Sequence, residues 1–317
     1  MKSSNIGGQA VMEGIMMKSG DQYAVAVRKE NHEIVVKTEQ HQSMIKNKKI
    51  LTLPLIRGVF NFIDSLVLGM KTLTYSAGFF MEEEETEAKK VNPETQEKKD
   101  SIFMGITVAL SLIMAVGIFM VLPYFISLLF KRFTDSYVLI AAAEGAVRLL
   151  LFVGYLFLIS RMKDIQRVFM YHGAEHKCIN CIESGLELNI ANVMKSSKQH
   201  KRCGTSFLLI VIVISVILFM FIRIPSPLWR VLIRILMMPV IAGIAYEFIR
   251  LAGRSENRFV EFLSKPGMWM QNLTTKEPDE SMVEVAIVSV EAVFDWKGYL
   301  TDNFGKHYDE NIAGEEQ

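Results

Sequence analysis

Residues 101–130 read SIFMGITVALSLIMAVGIFMVLPYFISLLF, thirty positions without a single charge. A helix needs about 20 apolar residues to cross the hydrocarbon of a bilayer, so this stretch is long enough even when tilted. It could stay in water only if buried on every side. Nothing else constrains the fold as strongly, and the rest of the chain agrees with it. Half of the 317 residues are hydrophobic and 22% are charged, which is too apolar for an average soluble protein. Residues 205–222, TSFLLIVIVISVILFMFI, form a second uncharged candidate. Two more carry charges: 137–160 holds Glu144 and Arg148, and 228–251 holds Arg230, Arg234 and Glu247. The expected membrane domain is thus 101–251, with about four transmembrane helices.

Basic residues orient these spans. The loop 161–204 contains Arg161, Lys163, Arg167, Lys177, Lys195, Lys198, Lys201 and Arg202, whereas 131–136 has Lys131 and Arg132 and 223–227 has Arg223. The positive-inside rule places 161–204 in the cytoplasm. With four spans, both termini follow it there. Formal net charge is +1, and no basic run is interleaved with aromatic residues, so nothing points to nucleic acid. The start of the chain lacks the apolar core of a secretory signal, so reduced thiols facing a cytoplasm are expected.

Outside the spans the chain divides into smaller parts. Residues 1–49 are expected to form a cytoplasmic module around a β-hairpin, with strands YAVAVRK and EIVVKT flanking a Glu30-Asn31-His32 turn. The preceding 6–20, IGGQAVMEGIMMKSG, reads as a glycine-punctuated apolar loop. Its one carboxylate, Glu13, is either a solvated or capping group or one delivered to a site. Residues 50–80 place Arg57, Asn61, Asp64, Leu68 and Lys71 at helical spacing. They read as an amphipathic helix in the interface or on the bundle, with a fifth span as the alternative. Residues 82–100 read as a charged, disordered linker. The cytoplasmic tail 252–317 reads as a turn near Pro266, then an amphipathic helix from about Asp279.

All three cysteines and three of the six histidines fall between His172 and Cys203. His172 and His176 lie about 40° apart on one helical face, a spacing that lets two imidazoles chelate one divalent ion. His172-Gly-Ala-Glu175-His176 is H-x-x-E-H, the pattern of inverted zincins, in which the glutamate is the general base on a metal-bound water. Cys203, with His200 three residues earlier, returns to the same interface and offers further ligands. Glu247 and Glu13 are candidates for supporting carboxylates around the ion. A competing pattern is Cys178-x-x-Cys181 with His200-x-x-Cys203, a ribbon-like structural zinc spacing. On an unbroken helix Cys178 and Cys181 would point about 240° and 180° from His172, so the two patterns could not share one ion.

Charges inside spans are costly and must face partners, water or a polar ligand. Glu144 with Arg148, and Arg230 with Arg234, are i,i+4 pairs. They read as interhelical salt bridges, as a pocket for a lipid headgroup or other anion, or as an ion path.

IGGQAVMEGIMM, RGVFNFIDSLVLGMKTL, YHGAEHK, KQHKRCGTSF and QNLTTKEPDESMVEVAI together resemble the YqhQ-like bacterial membrane proteins. The resemblance covers nearly the whole chain. It implies a multi-pass protein of the bacterial cytoplasmic membrane, of a family described as of unknown function and sometimes as predicted metal-dependent enzymes. It also implies that His172, Glu175, His176, His200 and Cys203 belong to the motif blocks, whereas Cys178 and Cys181 do not. Lys201 stands where the family more often has proline.

Three functions are compatible with these residues. One is a metal-dependent hydrolase with a divalent ion, Zn²⁺ in the first instance, acting on a peptide or lipid-linked substrate at the bilayer interface. Another is a non-enzymatic scaffold with a structural zinc and a cytoplasmic protein partner. The third is a transporter built on the intramembrane charges.

Overall fold

The computed structural model describes residues 2–43, 53–85, 93–222, 224, 226–255 and 257–308. It is mainly helical, with one antiparallel sheet at the N-terminus. The sheet is a meander of β1 (Gly7–Val11), β2 (Gly14–Ser19), β3 (Gln22–Arg28) and β4 (Ile34–Gln40), paired in sequence order. Only β3–β4 is the expected hairpin. Residues 6–20, expected as a loop, are instead a second hairpin, with Gly8 opposite Met17 and Val11 opposite Gly14. Two features hid it. Its turn is Met12-Glu13, with Glu13 held at φ 47, not the Asn-Gly or Asp-Gly that marks a tight hairpin. In addition, β2 is buried on both faces, so it lacks the polar alternation of a half-exposed strand.

One face of the sheet presents Ile15, Met17 and Ala26 to two helices, α5 (Lys163–Glu183) and α10 (Glu280–Glu291). The other presents Val11, Met16, Tyr23, Val25 and Val27 to Leu68, Tyr75, Phe79 and Phe80 of α1 (Ile56–Glu85). Three polar positions of α1 reach neighbouring elements. Arg57 pairs with Glu247, Asn61 donates to the Tyr246 hydroxyl at 2.8 Å, and Lys71 pairs with Glu39. Its outward face shows Ile63, Leu66, Val67, Met70 and Leu73, an inside-out distribution that suits an apolar surrounding.

Among the described residues, four helical stretches are long and apolar enough to cross a membrane, and α1 is not one of them. The first, Gly105–Arg132, joins α2 (Pro93–Val116), a π-turn at Gly117–Val121, α3 (Leu122–Leu128) and a closing 3₁₀ turn. The others are α4 (Tyr137–Ile159), α7 (Gly204–Phe221) and Leu228–Arg254 of α8 (Pro227–Arg254). Their outward surfaces are apolar, as in Phe103, Ile113, Leu150, Phe221 and Leu236. Such surface has no place in water; this is a membrane protein. Within the bundle Glu144 accepts from Arg148 at 3.1 Å and from Arg234 at 2.7 Å, and Arg148 donates to Ser215 at 2.8 Å. One network therefore ties α4, α7 and α8. Arg230 instead donates to the Ile224 carbonyl and lies over the Tyr124 ring.

Two expectations change here. Residues 82–85 and 93–100, taken for linker, are helical ends of α1 and α2, while 86–92 lie outside the described residues. The expected turn near Pro266 is interior to a helix, α9 (Arg258–Thr274). Its packing explains this: Gly267, Met270 and Gln271 are buried on one side, and tertiary burial overrides the low propensity of Pro266-Gly267. The tail helix α10 begins after Asp279, whose side chain caps it by accepting from the Met282 amide at 2.9 Å. It is built into the core, with Met282, Val283, Val285, Ala286 and Val290 buried. Two short helices, α6 (Ile190–Lys195) and α11 (Trp296–Phe304), complete the head.

Candidate metal site

Helix α5 runs unbroken through Glu183, and its residues from Gly173 onward are all buried. It passes between the sheet, α10 and the membrane domain. Gly173 permits one of these contacts: a Cβ there would lie 2.1 Å from the Lys276 carbonyl oxygen. The segment after α9 can therefore lie against α5, and this brings the Thr274 carbonyl to His172.

His172 and His176 share a face, with ring centroids 4.4 Å apart. His172 Nδ1 meets the Thr274 carbonyl at 2.9 Å, and His176 Nδ1 meets the Lys198 carbonyl at 2.6 Å. A carbonyl only accepts, so each Nδ1 carries a proton and Nε2 is the atom each ring has left for a ligand. Cys203 sits at the N-cap of α7. Its sulfur is 3.3 Å from His172 Nε2 and accepts from the Thr205 amide at 3.4 Å. One ligand atom from each of His172, His176 and Cys203 lies within 4.8 Å of the others. Tetrahedral zinc bonds of about 2.0–2.3 Å place neighbouring ligands roughly 3.3–3.8 Å apart, so the triplet has room to close on one ion.

The electrostatics are those of a thiolate beside imidazolium. Burial alone would raise the Cys203 thiol, but His172 and His176 outweigh it and hold the group well below the ordinary thiol range. Burial alone would lower His172, yet Cys203 pushes it up to about 9. Glu175 is buried, and burial raises its carboxyl while His172 and His176 oppose the shift. The Gly8 amide is hydrogen-bonded to it. Its other oxygen, Oε2, has no hydrogen-bond partner among the described residues. A Cβ at Gly8 would fall 2.9 Å from Glu175 Cγ and 2.7 Å from the Met16 carbonyl, so glycine is what lets β1 cover this carboxylate. His172, Glu175, His176 and Cys203 all line a cavity of about 560 Å³.

The structure does not bring every expected residue to this point. His200 lies 5.7 Å from the His176 ring but turns its Nε2 toward Glu183 at 3.6 Å. Its backbone is gripped by Gln271, which accepts from the His200 amide and donates to its carbonyl and to Ser206 Oγ. Glu183 also binds Ser4 and Arg202. Glu13 is clamped by Arg167 and reached by the Tyr171 hydroxyl at 3.3 Å. Glu247 is held by Arg57 and the Leu55 amide. Neither carboxylate joins the triplet. Cys178 and Cys181 are buried and free. They pack into the core between α5, α10 and the sheet, as an unbroken helix requires, and take no part in a His-Cys group among the described residues.

Sequence reasoning missed the carbonyls of Thr274 and Lys198, and the roles of Gly8, Gln271 and Glu183. Gly8, Gln271 and Thr274 stand inside the IGGQ and QNLTT blocks and Lys198 opens KQHKRCGTSF, whereas Glu183 lies in none of the motif blocks.

The family model described as "Protein of unknown function (DUF1385)" matches residues 53–296. The chain is 35% identical over 294 residues to "Uncharacterized protein YqhQ" of Bacillus subtilis (strain 168), across 89% of this chain and 90% of that protein. No solved structure matches.

Proposed function

The chain belongs to the DUF1385 family, and from its own residues we propose that it is a metal-dependent hydrolase acting at the inner face of the bacterial cytoplasmic membrane. The observation that carries this is the close approach of half-buried His172 to buried His176 and Cys203, beside a carboxylate with a free oxygen. Two imidazoles pre-set by carbonyls and one thiolate are a donor set suited to Zn²⁺.

A divalent ion held there would supply Lewis acidity toward a carbonyl or phosphoryl oxygen and would acidify a water. Glu175 is the group that takes the proton of the attacking water and returns it to the leaving group. Its free Oε2 suits that task, and the Gly8 amide steadies the carboxylate. The basic flanks support a cytoplasmic head with both termini inside. A peptide or lipid-linked substrate would enter from the bilayer side.

A second reading is a non-enzymatic scaffold whose ion only staples the head: the cluster joins α5, the 196–203 segment, α7 and the end of α9. Elemental mass spectrometry on untagged protein in detergent separates the readings. We expect about one ion per chain in wild type and in Glu175→Gln, and none in His176→Ala. Retained metal in Glu175→Gln with unchanged cellular function would favour the scaffold. No stoichiometric metal in wild type, even after zinc is added, would end both.

A further inference from the structure

The cluster lies at a definable depth. Helix α9 follows directly on the last candidate span and exposes Phe259, Phe262, Leu263 and Trp269. At about 100° per residue these four fall on one face. Its opposite face carries Gln271, which grips His200, and its end supplies the Thr274 carbonyl to His172. A helix with an apolar outer face beside spans α7 and α8 lies in the bilayer interface. That placement would hold the His172, His176 and Cys203 group at headgroup level.

The walls around the cluster are basic at that level. Arg250 and Arg254, one turn apart at the end of α8, both line the cluster's cavity. Neither makes a hydrogen bond or ion pair among the described residues, although Glu247 lies close enough to Arg250 to feel its charge. A second cavity, of about 970 Å³, shares Ser3, His200, Arg202 and Arg254 with the first. Lys2, Lys195 and Lys201 line it further. Lysine and arginine outnumber carboxylates in both walls. The carboxylates of the cluster's cavity are Asp64, hydrogen-bonded to Ser43, and Glu175; those of the second are Glu183, bound to Arg202, and Glu261.

We propose that Arg250 and Arg254 bind the phosphate of an anionic lipid whose acyl chains stay in the leaflet beside α8 and α9. Guanidinium forks fit phosphate oxygens in pairs, and unpaired arginines beside a membrane-level cavity match a phosphate headgroup in charge and depth. That such a lipid is the substrate class rests on the hydrolase reading; the binding site does not.

Native mass spectrometry in detergent can compare retention of phosphatidic acid and phosphatidylcholine, with inorganic phosphate as competitor. Wild type should prefer phosphatidic acid, and millimolar phosphate should not displace it. Arg250→Gln combined with Arg254→Gln should weaken phosphatidic acid at least tenfold. The double lysine replacement should keep most of the preference, which guards against loss through misfolding. Lys131→Gln with Arg132→Gln, at the other end of the first span, should change nothing. Equal retention in wild type and the glutamine pair would overturn the proposal, as would an equal loss in the Lys131/Arg132 control. Displacement by inorganic phosphate would make it a free-phosphate site instead. Metal is read on the same samples. Metal-free protein that still selects phosphatidic acid through these arginines removes the hydrolase and keeps the lipid site. Metal-loaded protein indifferent to them does the reverse.

Discussion

At the scale of single residues, the site depends on which atom of each ring is taken. Two backbone carbonyls hold Nδ1 of His172 and His176, leaving both Nε2 atoms toward Cys203. Without an ion, the Cys203 thiolate and a protonated His172 stabilise each other. His172 is pushed up to about 9, so near neutral pH it must lose its proton before it can ligate. Metal binding should then release about one proton per ion, and affinity should rise about tenfold per pH unit until roughly pH 9, then level off. Calorimetry in buffers of differing ionisation enthalpy reads that proton; a binding heat independent of buffer would contradict the assignment. The H-x-x-E-H spacing was legible because neighbours on one helix share a face by covalent geometry alone. The orientation of His200 was not legible. It is set by Glu183 and Gln271, and Gln271 lies on an element far along the chain.

At the scale of elements, α5 is the organising helix. Its unbroken course sends Cys178 and Cys181 into the core, so the two cysteine patterns separate as the helical angles require. The start of α10 was legible because its cap is a local signal, Asp279 followed by an apolar helical run. The β1–β2 hairpin and α9 were not legible, because each is imposed by burial against distant partners over weak local propensity. In the bundle, the Glu144–Arg148–Arg234 network binds three helices in a place where an unpaired charge is expensive. Glu144→Gln would leave two arginines without their carboxylate and should cost about 3–5 kcal/mol. That appears as a lower Tm in detergent with metal content unchanged, since the network shares no residue with the cluster. An unchanged Tm would deny the network its structural role.

At the scale of the whole molecule, the architecture is a sheet-centred head wired to a helical bundle with four candidate spans among the described residues. Helix α1 covers the far face of the sheet and α5 with α10 cover the near one. Helices α7 and α8 rise from the level at which Cys203 and Arg254 stand. The spans were legible from composition, since uncharged runs of that length leave a chain few options. The four strands and the convergence of loop, span end and tail on one cavity were not, because they depend on long-range packing.

Zinc-edge X-ray absorption on untagged, zinc-loaded protein tests the central claim most directly, since it reads ligand type and distance at once. The account predicts one sulfur at about 2.3 Å and two imidazole nitrogens at about 2.0–2.1 Å, with the sulfur lost in Cys203→Ser. A shell with two or three sulfurs, or with none in wild type, would contradict it.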